Sequence, residues 1–151
     1  MVELKIGDKA PDFNAKTTEG TVSLKDYLGK NLVIYFYVKD QTPGCTIQSS
    51  SLRDGMEKIK EQQAEVLGVS TDNLESHKKF KEKENLSFPL VADPDYLISK
   101  AFGAFNEQRQ MSRRTTFIID KNGIIKHIIA KVDVKAHAEE VVEALRTINQ
   151  E

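Results

Sequence analysis

The sequence is short of the residues that build disulfide scaffolds, membrane spans and nucleic-acid surfaces. It contains one cysteine and no tryptophan among 151 residues, which excludes an internal disulfide and any cluster of several thiolate metal ligands. Its longest apolar run, residues 32–38, is far below the roughly 20 residues that span a bilayer. The formal net charge is −1, so neither sign dominates and no charge excess points to a nucleic-acid partner or a membrane.

Signals for export are also missing. The first residues, Met1 to Lys5, contain no apolar core of the kind that a signal peptide carries. A single unpaired cysteine without an export signal is typical of a reducing compartment, so we expect a cytoplasmic protein. The length suits a single domain, residues 1–151, that buries a core without disulfides or metal ions.

The hydrophobic pattern predicts an α/β fold with a central mixed sheet flanked by helices. Strands are predicted at residues 22–24, 32–38, 64–69, 88–92, 115–120 and 124–130, and helices at residues 46–62, 73–84, 95–102 and 136–148. Residues 32–38 lack polar alternation, which indicates a central strand buried on both faces. Residues 88–92 contain Pro89, which cannot donate to a ladder, and are predicted as an edge strand.

Three local signals refine these elements. Gly55 is expected to weaken or bend the helix at residues 46–62. Residues 70–72, Ser-Thr-Asp, supply good N-caps for the following helix. Asn122 and Gly123 are expected to supply the left-handed turn residues of a hairpin.

The one cysteine lies where an apolar run ends and a helix is expected to begin, in Thr42-Pro43-Gly44-Cys45-Thr46. Free N–H groups and the positive end of the helix dipole favour the thiolate, which is the reactive form of cysteine. Open α/β sheets also place their sites at the carboxyl ends of strands. The alternative is an inert core cysteine; the position favours a nucleophile.

Two polar residues are expected beside this sulfur. The Thr42 hydroxyl can face the sulfur or a bound oxygen, or it can cap the helix. Arg114 begins a strand, and its guanidinium can attract a thiolate and donate hydrogen bonds to an oxygen. The alternative for Arg114 is a surface ion pair, and the adjacent Arg113 leaves open which of the two arginines faces the site.

Four blocks of the sequence resemble peroxiredoxins, most closely the branch called bacterioferritin comigratory protein or peroxiredoxin Q. The blocks are Gly7-Asp8-Lys9-Ala10-Pro11-Asp12-Phe13, Thr42-Pro43-Gly44-Cys45-Thr46, Phe88-Pro89-Leu90-Val91-Ala92-Asp93 and Arg114-Thr115-Thr116-Phe117. This resemblance covers nearly the whole chain. It implies a thioredoxin-like fold with an N-terminal extension, and reduction of hydrogen peroxide and organic hydroperoxides by a thiolate without metal or organic cofactor.

The resemblance also assigns site residues. Cys45 matches the peroxidatic cysteine, and Thr42 and Arg114 match its two polar partners. Pro43 and Gly44 shape the first turn of the helix.

Three positions depart from the family pattern. Gln48 stands where the family often has glutamate, so its neutral side chain is expected to orient Arg114 less tightly. Val38 replaces a proline that shields the reactive sulfur. Ser50 stands at the place of a resolving cysteine, either in a natural one-cysteine enzyme or as an engineered replacement. In both cases the sulfenic acid must be reduced by an external thiol or it will over-oxidise.

The sequence therefore predicts a peroxidase that reduces peroxides through a Cys45 sulfenic acid. We expect recycling by a thioredoxin-like protein or a small-molecule thiol, and a monomer or weak homodimer. A thiol–disulfide oxidoreductase is less favoured because Thr42 occupies the first position of the Cys-x-x-Cys motif. A non-enzymatic peroxide sensor or chaperone-like binder remains the alternative of another class. No metal site is expected, because the histidines are scattered and predicted to lie on the surface or in a hairpin: His77, His127 and His137.

Overall fold

The computed structural model describes residues 3–150. In chain order its strands are β1 (Asn14–Thr17), β2 (Gly20–Ser23), β3 (Asn31–Phe36), β4 (Ala64–Ser70), β5 (Leu90–Ala92), β6 (Phe105–Asn106), β7 (Met111–Ser112), β8 (Thr115–Ile119) and β9 (Ile125–Ile129). Its helices are α1 (Pro43–Asp54), α2 (Met56–Glu61), α3 (Leu74–Glu84), α4 (Leu97–Ala101) and α5 (His137–Asn149), with a short 3-10 helix at Leu24–Tyr27. No helix within the described residues is long and apolar enough to cross a membrane.

Seven strands form one mixed sheet in the order β2-β1-β5-β4-β3-β8-β9. Strands β3, β4 and β5 are parallel, whereas β8 and β9 at one side and β1 and β2 at the other pair antiparallel. Strands β6 and β7 make a separate two-stranded ribbon. The predicted α/β architecture with a central mixed sheet is confirmed.

Strand β3 lies inside the sheet and is buried along its whole length. Its side chains point alternately into two hydrophobic cores, because successive residues of a strand point to opposite faces of the sheet. Val33 and Tyr35 join Tyr37 and Cys45 in the core under α1, α2, α3 and α5. On the opposite face, the residues packed with α4 and the N-terminal segment are Leu32, Ile34 and Phe36. The prediction of a strand buried on both faces is confirmed, although the strand ends at Phe36.

The prediction that residues 88–92 form an edge strand is wrong. Strand β5 lies between β4 and β1, and Thr17 of β1 pairs with Val91. Pro89 precedes the strand, and its carbonyl accepts a hydrogen bond from Gly68 N at 3.1 Å, so its missing N–H disturbs no ladder. The residues of β1 are mostly polar and do not indicate a strand, so the sequence does not predict that β1 pairs with β5.

The helix predicted at residues 46–62 is two helices. It begins earlier, at Pro43, and is interrupted at Gly55 between α1 and α2. A Cβ at Gly55 would lie 2.5 Å from the Ala138 Cβ, so only glycine lets α5 approach this closely. The predicted bend at Gly55 is therefore a break.

Two turn predictions also need correction. The side chain that caps α3 is Asn73, which accepts from Ser76 N at 2.9 Å, and not one of residues 70–72. In the β8–β9 hairpin only Gly123 takes a positive φ, at 82°. Here Asp120 accepts from Asn122 N and Ile124 N, which fixes the turn without a left-handed asparagine.

Candidate active site

The start of α1 is set by a short loop, residues 37–42, that follows β3. Gln41 in this loop has a left-handed φ of 63°, which turns the chain sharply into the helix. Thr42 is the N-cap residue by its extended backbone, and Pro43 occupies the first helical position, where its missing N–H removes no helical bond. Cys45 is consequently the third residue of the helix.

Arg114 approaches the sulfur of Cys45 directly. Its Nη2 atom donates a hydrogen bond to Cys45 Sγ at 3.0 Å. The first hydrogen bond of the helix runs from Thr46 N to the Thr42 carbonyl at 2.9 Å, so the N–H groups of Gly44 and Cys45 have no partner within the helix. The fully buried sulfur thus faces a cation and the positive end of a helix dipole, which together stabilise negative charge.

The position of Arg114 follows from the pairing of β3 with β8. Phe36 at the end of β3 pairs with Thr115 at the start of β8, so the preceding arginine reaches the loop that leads into α1. Its guanidinium packs on Gly44, where a Cβ would lie 3.1 Å from Arg114 Nη2. Arg113 is exposed and makes no described contact with the cysteine. The structure brings Arg114, rather than Arg113, to the cysteine.

Thr42 is half-buried beside this site, but its side chain does not cap the helix. The Thr42 hydroxyl donates to the Lys39 carbonyl at 2.8 Å, because the turn at Gln41 folds that carbonyl back towards it. The capping role predicted for the Thr42 side chain is therefore wrong. With its proton engaged by Lys39, the hydroxyl oxygen retains lone pairs that can accept a hydrogen bond.

Gln48, one helical turn after Cys45, is fully buried. Neither of its amide atoms has a hydrogen-bond partner, and the same is true of Arg114 Nε. The expected hydrogen bond between Gln48 and Arg114 is absent from the described contacts. These three unsatisfied polar atoms are unusual in a buried setting, where each one ordinarily costs about 1–3 kcal/mol.

The comparisons with known proteins identify the family of this chain. Residues 6–128 match the AhpC/TSA family. Peroxiredoxin Bcp of Bacillus subtilis is 41% identical, covering 97% of this chain and 98% of that protein. The chain belongs to the AhpC/TSA family, among the Bcp peroxiredoxins.

Solved structures place this peroxiredoxin in the same branch. A peroxiredoxin Q mutant of Xylella fastidiosa superposes with a TM-score of 0.90 at 32% identity, covering 97% of this chain and 98% of that one. Bacterioferritin comigratory protein of Xanthomonas campestris superposes with a TM-score of 0.85 at 32% identity, covering 90% and 91%. The thioredoxin-like fold with its N-terminal extension is confirmed.

The two other positions at which this peroxiredoxin departs from its family, Val38 and Ser50, have different surroundings. Val38 is half-buried and packs against the core that contains Cys45, so an apolar residue occupies the place of the usual proline. Ser50 lies further along α1, and its hydroxyl donates weakly to Glu84 at 3.5 Å. The neighbouring Ser49 bonds the Tyr35 hydroxyl at 2.9 Å, and burial raises the pKa of that phenol.

Introducing a cysteine by Ser50→Cys is expected to produce a disulfide with Cys45 after peroxide treatment. At a rise of about 1.5 Å per residue, five residues separate the two positions by roughly 7.5 Å along an intact helix, beyond the reach of a disulfide. Bond formation should therefore unwind part of α1 and lower its helical signal. Non-reducing mass spectrometry checks this; two free thiols, or only over-oxidised Cys45, would contradict it. Ser51→Cys, on the same helix, is the control.

A buried polar chain near Arg114 has no signal in the sequence. His137, expected at the surface, is fully buried. Its Nε2 atom lies 2.8 Å from the Thr116 hydroxyl and its Nδ1 atom lies 3.0 Å from Glu140. Burial lowers the pKa of His137, Glu140 opposes the shift, and the Arg114 charge adds to it. The lowered pKa favours the neutral ring, in which Nδ1–H donates to Glu140 and Nε2 can accept from the Thr116 hydroxyl.

The free energy of unfolding should fall as the pH drops below about 6.5, the usual pKa of histidine. The unfolded chain protonates His137 first, because its folded pKa is lowered, so stability present above that pH is lost as the pH falls through the folded value. Urea titrations between about pH 7.5 and 5 check this. His137→Gln should flatten the profile, whereas His127→Gln on β9 should leave it unchanged. Equal slopes in all three proteins would contradict the assignment.

Proposed function

We propose that this chain is a thiol-dependent peroxidase that reduces hydrogen peroxide and organic hydroperoxides. Alkyl peroxide reduction is the activity described for the bacterioferritin comigratory protein of Xanthomonas campestris, whose fold this chain shares. The observation that carries the proposal is the 3.0 Å hydrogen bond from Arg114 Nη2 to the Cys45 sulfur at the first turn of α1. A thiolate held by a cation beside free N–H groups is a nucleophile prepared for an oxygen centre.

In the proposed reaction the Cys45 thiolate attacks one peroxide oxygen in line with the O–O bond. An S–O bond forms, the O–O bond breaks, and hydroxide or alkoxide leaves and takes up a proton. Cysteine is oxidised to sulfenic acid and the peroxide is reduced to water or an alcohol. Arg114 and the N–H groups of Gly44 and Cys45 donate to the oxygens as charge moves between them, while the Thr42 oxygen accepts the substrate's O–H. Donors fixed in advance at such positions typically contribute 10²–10³ in rate, about 2.7–4 kcal/mol.

The remaining residues of the site shape this reaction. Pro43 and Gly44 define the first turn, and glycine leaves room for the guanidinium. Val38, which packs against the core that contains Cys45, would exclude water from the thiolate. Gln48 and Arg114 Nε make no hydrogen bond in the structure, so any steadying of the arginine by Gln48 would need a small movement of the two side chains. No metal or organic cofactor takes part in these steps.

We assign the second half of the cycle to an external thiol. Cys45 is the only cysteine of the sequence, so the sulfenic acid condenses with a reductant thiol, releasing water, and a second thiol then releases Cys45 and forms the reductant disulfide. A thioredoxin-like protein or a small-molecule thiol in the cytoplasm would supply both. The chain would act as a single domain, residues 1–151, and as a monomer or weak homodimer.

The experiment that tests this function is intact-protein mass spectrometry after one equivalent of hydrogen peroxide, with and without a sulfenic-acid trap. The wild-type chain should gain one trap adduct at Cys45, and Cys45→Ser should gain none. Adding excess dithiothreitol and repeated peroxide should then give many turnovers per chain. An unmodified wild-type cysteine would overturn the proposal, and a single stoichiometric oxidation without turnover would favour the peroxide sensor instead.

A further inference from the structure

A buried polar cluster surrounds Asp40, in the loop that leads from β3 into α1. The Asp40 carboxylate accepts from the Tyr37 hydroxyl at 2.6 Å and from the Ser76 hydroxyl at 2.7 Å, and faces His77 Nδ1 at 2.7 Å. The Asp40 backbone N–H donates to Asp72 at 2.9 Å. Asp40 and His77 are both buried, so this histidine too lies inside the protein and not at the predicted surface.

The hydrogen bonds of His77 fix where its protons lie. Its Nε2 atom is 2.8 Å from the Val91 carbonyl, an acceptor, so Nε2 carries a proton. Its Nδ1 atom faces the Asp40 carboxylate, also an acceptor, and two lone pairs would repel at that distance. A hydrogen bond therefore joins Nδ1 and the Asp40 carboxylate.

Although Asp40, Asp72 and His77 place possible metal ligands within 4.8 Å of one another, these atoms already satisfy each other. His77 is used at both nitrogens, and Asp72 accepts from both the Asp40 N–H and the Ser70 hydroxyl. The cluster therefore serves the loop rather than an ion.

What this cluster anchors is the segment that carries Val38 and Thr42. The next residue after Asp40, Gln41, has a left-handed φ of 63°, a conformation that a non-glycine residue keeps only when its surroundings enforce it. We propose that Asp40 and His77 are positioning residues, which tie residues 37–42 to α3 and β5 and so fix Thr42 and the first turn of α1 for the attack of Cys45 on peroxide. This inference rests on the peroxidase function proposed above.

The test compares the second-order rate of Cys45 oxidation by hydrogen peroxide in the wild type, Asp40→Ala and Asp40→Asn. Alanine removes the anchor, and a misplaced site should lose roughly tenfold in rate. Asparagine preserves the anchor, because its amide oxygen can accept from Tyr37 and its amide N–H can donate to His77 Nδ1. Its rate should therefore stay within about 1.5-fold of the wild type. Alkylation of Cys45 by iodoacetamide, which needs no alignment of a peroxide, should change little in both variants.

The matched control is Asp93→Ala. Asp93 is as buried as Asp40 and accepts two backbone hydrogen bonds, from Ile98 N and Ser99 N at the start of α4, but it does not hold the loop. The Asp93→Ala variant should be less stable than the wild type, and its Cys45 should be oxidised by hydrogen peroxide at the wild-type rate. If Asp40→Ala fails to fold, Ser76→Ala, which removes one donor to Asp40, should lower the peroxide rate by about twofold to threefold.

The outcomes separate the two proposals. A tenfold loss confined to Asp40→Ala, with Asp40→Asn near the wild type, supports the positioning role. Equal peroxide rates in the wild type and in Asp40→Ala, or an equal loss in Asp40→Asn, overturn that role and leave the peroxidase function intact. A wild-type cysteine that does not react with peroxide overturns both.

Discussion

Replacing Arg114 by glutamine is expected to slow the oxidation of Cys45 by hydrogen peroxide by about 10²–10³-fold. The substitution removes the cation whose Nη2 atom lies 3.0 Å from the sulfur, so both the thiolate and the charge that develops on the departing oxygen lose a donor. No carboxylate of the described residues forms an ion pair with Arg114. Its charge is therefore directed at the cysteine. Stopped-flow measurement of the second-order rate at fixed pH checks this.

Two further variants separate charge from geometry at this position. Arg114→Lys keeps the charge but loses the planar fork, and we expect a rate between those of the wild type and Arg114→Gln. Arg113→Gln removes an exposed neighbouring charge and should stay within about twofold of the wild type, as expected for a screened surface charge. A loss in Arg113→Gln as large as that in Arg114→Gln would mean that overall positive charge, rather than the hydrogen bond, drives the reaction.

Gly44→Ala is expected to lower the same rate by about tenfold or more while leaving the protein at least as stable. The new Cβ would lie 3.1 Å from Arg114 Nη2 and 3.5 Å from Nη1, so the guanidinium must give way by a few tenths of an ångström, and we expect this to disturb its hydrogen bond to the sulfur. A misplacement of about 1 Å costs about 10²-fold in reactions that depend on alignment, and the smaller shift here should cost about tenfold. Gly44 does not have a positive φ, and alanine favours the helical conformation over glycine by roughly 1 kcal/mol. The substitution should therefore stabilise the helical backbone at this position.

A double-mutant cycle tests whether Gly44 acts through Arg114. In the Arg114→Gln background the side chain that Gly44 accommodates is gone, so Gly44→Ala should have little additional effect on the rate. Thermal unfolding of all four proteins monitors stability in parallel. Independent, multiplicative losses would show that the alanine disturbs the first turn itself and not the arginine.

The sequence predicts most of the site because its chemistry is local. Cys45 and the Pro-Gly turn before it are adjacent in the chain, and the buried run that precedes them indicates the strand. Arg114 is 69 residues further along the chain. Strand alternation alone does not show whether Arg113 or Arg114 faces the cysteine, and only the match of whole sequence blocks to a family selects Arg114. The register of β3 with β8 resolves this in space.

What the sequence does not predict depends on long-range pairing. Strand β1 is polar and short, so nothing in its pattern indicates that it covers β5. His77 and His137 occur in charged helical segments that look solvent-exposed, yet each is buried by a partner from another element: Asp40 for His77 and Thr116 for His137. A polar residue that pairs inside the core is indistinguishable in sequence from one on the surface until its partner is placed.

Because Cys45 is buried, its access to the two reaction partners, the peroxide and the thiol reductant, depends on their size. We expect a peroxide of a few atoms to reach this fully buried sulfur after small side-chain motions, whereas a reductant must bring its own sulfur into line with the sulfenic acid. Because the break at Gly55 separates α1 from α2, we expect the first helix to open without unravelling the second. The recycling rate should therefore level off at high thiol concentration, at a ceiling set by how often α1 opens. The opening of α1 would then be the step that limits the turnover rate of this enzyme.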